Sequence, residues 1–248
     1  KKYIKIIKKD DTYSKTDIEK FLKKNQKFLH IRKGDYEDFS TSFAKTPFLI
    51  EDPSLSADQL NQAASATVEI VHHLVQTVGV TPTVIKLVDS TVGQIQKDIK
   101  KDNKNLLDLL KRFGSRKDYL YDHSYLLAYF SSVICRNMDW TSEETTRKLS
   151  YAAIFHDILL DDPDLALKMD VDPNKNKAEF TEEQIKAYFD HPVKISQLIQ
   201  DSKKLPLNVD EIVLQHHERP EGDGFPRKLS SLRISEMVGV FNVAHAFI

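Results

Sequence analysis

Residues 216–226 read His216-His217-Glu218-Arg219-Pro220-Glu221-Gly222-Asp223-Gly224-Phe225-Pro226. Two adjacent histidines run straight into a loop that holds two of the chain's seven glycines and two of its nine prolines. Glycine permits tight turns and proline fixes them, so the stretch reads as a rigid, polar pocket wall and not as an ordinary turn between helices. Outward from it stand His123, His156, His191 and His245, with Asp157 directly after His156. The separations are 33, 35 and 25 residues from His123 through His156 and His191 to His216, and 28 from His217 to His245. Each is close to one helix plus its connection. A compact helical bundle brings residues so spaced to one pocket, as bundle metal sites do. Imidazole nitrogen favours Zn, Fe, Mn, Ni or Cu over Mg or Ca. A carboxylate can bridge two cations, and such a pair can activate water and polarise a phosphoryl oxygen. A lone histidine would read as a core or surface residue; six at helical separations point to a metal site.

Everything after about residue 117 reads as helix after helix. Thr141 with Glu144, and Thr181 with Gln184, carry the capping-box pattern that satisfies backbone N–H groups at a helix start. Asn208 predicts an N-cap for 209–217. Upstream, Ser56 with Gln59 predicts another capping box. Leu60, Ala64, Thr67, Val71, Leu74 and Val78 then follow helical steps, and Thr81-Pro82 starts a second helix with Pro in the first turn. Val88, Val92, Ile95 and Ile99 continue the spacing. Residues 56–100 thus read as a helical hairpin, either packed within one monomer or serving as a homodimer stalk. His72 and His73 are adjacent on one helix, point in two directions and make a poor chelate. A short helix is predicted over 105–113, stopped at Gly114.

The first 52 residues have a different texture. Strands are predicted over 3–7 and 27–32, a short amphipathic helix over 15–24, a break at Gly34 and a further helix over 35–45. The segment Pro47 to Pro53 reads as a linker. Residues 1–33 carry 12 Lys or Arg against 4 Asp or Glu. This could dock an acidic partner or a membrane surface, but Lys runs more often solvate a face.

The whole chain is 248 residues with a formal charge of −1, which gives no global pull toward a nucleic acid polymer. It is 40% hydrophobic and 29% charged, the balance of a globular protein and not of a disordered or collagen-like one. Cys135 is the single cysteine, so no intrachain disulfide forms and a reducing, cytoplasmic setting is expected. No apolar run reaches the ~18–20 residues of a membrane span, and no signal peptide is visible. The chain starts at Lys1 and not Met, which leaves targeting open.

Taken together, His156-Asp157, His191-Pro192, His216-His217-Glu218-Arg219 and Gly222-Asp223-Gly224-Phe225-Pro226 resemble the HD-GYP subgroup of the HD-domain metal-dependent phosphohydrolases. The resemblance covers about 117–248. It implies a mainly α protein: an all-helical HD-type bundle over 117–248, preceded by a helical linker or hairpin over 53–116 and a small α/β regulatory domain over 1–52. It implies hydrolysis of the bacterial second messenger cyclic di-GMP to linear pGpG or GMP. It also implies two divalent ions, iron first with manganese or zinc as alternatives. One ion would take His123, His156 and Asp157; the other would share Asp157 and take His191, His216 and His217. His156 and Asp157 would form the catalytic pair, and Arg219, Asp223, Gly224 and Phe225 would face the substrate. The family's last ligand is an aspartate on the final helix, and the match puts His245 in that role. The chain departs from the family pattern at Phe225, where the family has tyrosine, at Leu160, where it has a lysine near the phosphate, and at Ile195, where a glycine is common. Tyr119 occupies the region that supplies a glutamate in three-metal members, so two ions are expected. These departures keep a second expectation open: a nucleotide-sensing or protein-interaction module that retains the metal centre, with signalling proteins docking on the 219–226 loop.

Overall fold

The structure is a computed structural model, and it describes Thr16, Lys20, Lys23 and residues 32–35, 57–101, 119–160, 162–171 and 176–248. The chain divides into two compact units, Lys1–Phe43 and Ala44–Ile248. In the first, Thr16, Lys20 and Lys23 are helical, and Gly34 lies in a 3-10 turn, Lys33–Asp35, closed by Arg32 Nε donating to Asp35 Oδ2 at 2.7 Å. The strands expected over 3–7 and 27–32 and the helix expected over 35–45 lie almost wholly outside the described residues. So do the 105–113 helix and the cap at Ser56.

The second unit is helical. Its described helices are α1 (Ala57–Val78), α2 (Pro82–Lys101), α3 (Tyr119–Cys135), α4 (Glu143–Phe155), α5 (Pro163–Val171), α6 (Glu182–Ser202), α7 (Val209–Gln215) and α8 (Glu236–Phe247). No strand occurs among the described residues; Glu221 and Ser230 form one isolated antiparallel bridge. The fold is therefore mainly α, as the resemblance implies.

Proline and the caps set the helix starts. Thr81 Oγ1 accepts from Val84 N–H at 3.3 Å, and Pro82 opens α2 where its missing N–H has no helical partner to lose. At α6 both arms of the capping box form between Thr181 and Gln184. At α4 the expectation was off by one residue. Ser142, not Thr141, is the N-cap, extended at φ −149° and ψ 167°, and its hydroxyl accepts from Thr145 N–H. Asn208 stands at the N-cap of α7 but in a left-handed conformation with no side-chain cap bond, and the helix stops at Gln215 instead of 217.

The α1–α2 hairpin packs on itself and against α3 and α4, so its apolar stripe is covered within the chain. Thr67, Val71, Leu74, Val88, Val92, Ile95 and Ile99 are all buried, whereas Val78 at the end of α1 is exposed. Gln96 ties α2 to α4 by donating to Thr146 O and Ser150 Oγ and accepting from Thr146 Oγ1. The centre of the bundle is α3 against α4, with α7 on α4, α8 on α3 and α6 on α7. Leu127, Ala128, Leu149, Ala152, Phe155, Val213, Phe241 and Ala244 are sealed from solvent there. That places the C-terminal ends of α4 and α7 beside the inner faces of α3, α6 and α8.

Candidate metal centre

Three of the histidines sit where a helix leaves a backbone carbonyl without its usual donor. The last carbonyls of a helix have no intrahelical N–H. His156 follows α4 directly, and its Nδ1 donates to Ala153 O at 2.9 Å; His216 follows α7, and its Nδ1 donates to Val213 O at 2.6 Å. His191 lies inside α6, but Pro192 beside it has no N–H to give the carbonyl four residues back. That carbonyl belongs to Tyr188, and His191 Nδ1 donates to it. A carbonyl only accepts, so Nδ1 carries the proton in all three rings and Nε2 is left with a bare lone pair, the tautomer a metal ligand needs.

Those nitrogens lie close together, and His123 Nε2 joins them. His191 Nε2 and His216 Nε2 are 3.1 Å apart, and His123 Nε2 and His156 Nε2 are 3.2 Å apart. Between them stands Asp157, 5% exposed. Its Oδ2 is 3.2 Å from His156 Nε2; its Oδ1 is 3.2 Å from His191 Nε2 and 3.7 Å from His216 Nε2. Neither carboxylate oxygen accepts a hydrogen bond. A buried, unsatisfied carboxylate ringed by lone pairs is costly unless a cation sits among them. The potential ligand atoms form two groups within 4.8 Å: His123, His156, Asp157 and His245, and Asp157, His191, His216 and His217. Asp157 belongs to both, with one oxygen toward each. The donor set therefore fits two cations that share a carboxylate bridge.

Protonation states agree with this. Burial first, and then the neighbouring His156, lowers His123 from 6.5 to about 4; burial likewise lowers His216 to about 4. Burial pushes His217 and His245 well below the usual imidazole value, reinforced by the surrounding rings. For Asp157 burial works in the opposite direction, but His156, His191 and His216 outweigh it and hold the carboxyl well below its ordinary range. Neutral imidazoles and an ionised carboxylate are the ligand forms.

The HD domain family matches residues 92–248, a span that begins in α2 and contains every residue of the two candidate groups. The chain belongs to the HD domain family. Over 133 residues it is 28% identical to a cyclic di-GMP phosphodiesterase of Pseudomonas aeruginosa, a stretch that makes up 53% of this chain and 30% of that relative. The chain thus spans less than a third of the relative's length. Its fold is similar to that of an HDG"Y"P protein from Bdellovibrio bacteriovorus, with a TM-score of 0.56 and 18% identity over 87% of this chain and 68% of the other. With the His-Asp, His-Pro, His-His and Gly-Asp-Gly-Phe-Pro motifs in place, the HD domain is of the HD-GYP type.

The loop of this HD domain is held from beneath. Glu218, 3% exposed, accepts Arg227 N–H at 2.6 Å and Leu229 N–H at 2.7 Å, one on each oxygen. Asn242 of α8 donates to Gln215 O and Glu218 O. Gly224 admits no side chain: a Cβ there would lie 2.4 Å from Arg219 N and 2.5 Å from His217 O. Phe225 N–H donates to His217 O, and the Phe225 ring stacks on the His217 ring at 4.4 Å and 18°. The other aromatic neighbours of Phe225 are Tyr188 and Phe189. Of the four residues expected to face substrate, Phe225 and Gly224 therefore pack against His217, a candidate ligand. Arg219 and Asp223 are exposed at the rim, 4.0 Å from each other.

Leu160 does not face solvent. It is buried in a cluster with Leu165, Ala166, Met169 and Tyr188, against which Phe180, Phe189 and Phe225 pack. Two of the departures from the family pattern, Leu160 and Phe225, thus share one apolar cluster. His72 approaches from α1, its Nε2 3.1 Å from Leu160 O, and takes no part in the ligand groups. Tyr188, Glu218 and Asn242 are site residues that sequence reading missed. Pro192 was the available signal for Tyr188, since it names the carbonyl that is set free; Glu218 was quoted in the His216–Arg219 motif without a role, and nothing in the sequence marks Asn242.

Proposed function

We propose that this HD domain is a metal-dependent phosphodiesterase that hydrolyses cyclic di-GMP to linear pGpG or GMP. The reading is carried by Asp157, whose two oxygens face separate imidazole sets. The relationship to a cyclic di-GMP phosphodiesterase supports the substrate. One ion would be held by His123, His156, His245 and Asp157, and the other by Asp157, His191, His216 and His217. Six nitrogens and one carboxylate suit iron, with manganese or zinc as alternatives. When bound, the ions lower the pKa of a water and offset charge on the phosphoryl group. The chain's own contribution is orientation. The carbonyls of Ala153, Tyr188 and Val213 fix three rings, Phe225 fixes His217, and Glu218 fixes the loop that carries Arg219 and Asp223 to the substrate. Hydrolysis adds water across one P–O3′ bond, leaving a 5′-phosphate and a 3′-hydroxyl. Residues 1–52 serve as a regulatory domain and 53–116 as the hairpin that joins it to 117–248.

The test is turnover of cyclic di-GMP by iron- or manganese-loaded protein, with linear product separated by chromatography. Asp157→Ala should lower the rate by at least about 10³-fold, since it removes the one ligand both ions share. A variant as active as the parent sinks the mechanism.

One observation favours a second reading. Leu160 and Phe225 are committed to an apolar cluster, so neither offers the substrate a polar group. A sensing module would bind cyclic di-GMP in calorimetry and release no linear product; steady product formation excludes it.

A further inference from the structure

His245 stands at the middle of the centre. Its ring lies 5.1 Å from that of His156 and 5.5 Å from those of His123, His216 and His217, so it touches both ligand groups. Asp157 is the single carboxylate in either group. Of the other buried acids nearby, Glu218 is bonded to two backbone N–H groups, and Asp122, next to His123 in the chain, lies outside both groups. Two divalent ions bring four positive charges, and the ligands return one negative charge. A carboxylate at 245 would return a second.

We propose that His245 keeps the centre one charge more positive than a carboxylate there would, and thereby tunes it to dianionic phosphate over monoanionic phosphodiester. The inference rests on the two-ion reading above and deepens it. The ligand class is a terminal phosphate monoester, which carries close to two negative charges near neutral pH because its second pKa is about 6. A phosphodiester carries one. In a site shielded from water, a unit of charge difference at ligand distance acts with little screening. The centre then holds the 5′-phosphate end that hydrolysis creates more tightly than the diester it acts on.

The experiment uses the whole chain loaded with manganese, its ion content measured by mass spectrometry. Methyl phosphate and dimethyl phosphate are titrated by calorimetry at pH 8. Methyl phosphate should bind at least tenfold more tightly to the parent protein; equal affinities overturn the proposal. His245→Glu and His245→Gln share a shape and differ by one charge. With two ions retained, the Glu variant should bind methyl phosphate at least tenfold more weakly than the Gln variant, and equal binding by the two overturns the proposal. Where either variant fails to retain two ions, the comparison of the two esters on the parent protein decides alone. Fewer than two ions on the parent chain overturns the two-ion reading and this proposal together, whereas two ions with no preference between the esters overturns this proposal only.

Discussion

A helix carbonyl left without a donor is the device that orients each of three candidate ligands, and Pro192 is its clearest use. In most helices an interior proline is a defect costing ~3 kcal/mol or more. Here it frees Tyr188 O for His191 Nδ1. Pro192→Ala restores an N–H that competes for that carbonyl. Metal affinity should fall by roughly tenfold, the scale on which a ligand's hydrogen-bond partner matters, while the metal-free protein melts no lower than the parent. Chelator competition and thermal melts measure the two, and a parallel fall in both would refute the role. Phe225 acts on His217 in the same sense through its stacked ring. Phe225→Ala should weaken binding of the ion at His217 by roughly 10–100-fold, and Phe225→Tyr, which keeps the ring, by little. At this scale the sequence was informative about which residues gather. The histidine spacings and the His-Asp pair picked out all seven residues that the fold gathers into the two groups able to hold a metal. It was silent on orientation, because tautomer and ring direction depend on carbonyls that belong to other residues.

Between residue and molecule lie the helix ends and the loop after α7. Periodicity found the buried stripe of α2, since Val88, Val92, Ile95 and Ile99 face one way on any helix. It placed the start of α4 one residue early because Thr141 and Ser142 are both good caps. The Thr141–Glu144 pattern is the tidier pair, yet helix geometry puts Ser142 in the extended cap conformation, with Glu143 and Glu144 in the first turn. The 216–226 loop was legible as rigid from its glycines and prolines. Its anchor was not, because Glu218 reads as one more charged residue until its two N–H partners, nine and eleven residues away, are folded against it. Those bonds to a charged acceptor are worth about 1.5–3 kcal/mol each. Glu218→Gln keeps the shape and turns one acceptor oxygen into a donor, so the melting temperature should fall by roughly 4–12 °C. Arg219→Ala, at the exposed rim beside it, should change the melt little. Calorimetry on both variants checks this, and equal melts would show that the loop does not depend on Glu218.

For the molecule as a whole, the centre that suits metal ions is a burden when they are absent. Four imidazoles, the buried His123 and His216 and the half-buried His217 and His245, all resist protonation in the fold. In the unfolded chain each titrates near the ordinary imidazole value of 6.5. As pH falls below 6.5 the unfolded chain takes up protons that the folded one refuses, so stability drops, and it continues to drop until the folded values near 4 are reached. A lowering from 6.5 to about 4 corresponds to about 3 kcal/mol for His123 and the same for His216 at the acid end. Asp157, held ionised by the rings around it, carries the loss further as the acid limit is approached. Against a total of about 5–15 kcal/mol for a folded domain, these contributions are a large fraction of what holds the metal-free protein folded in acid. Ions that bind only the folded form add stability with the logarithm of their free concentration, and protons compete with them for the same nitrogens. Denaturant titrations at pH 7.5, 6 and 5, with chelator and with saturating metal, test this. The metal-free midpoint should hold above pH 7 and fall steadily below 6.5. The metal-loaded midpoint should lie higher at pH 7.5, and its advantage should shrink toward pH 5. A metal-free midpoint that is flat from pH 7.5 to 5 would mean that the imidazoles are not confined together in the folded chain, and the case for a shared pair of ions would fall with them.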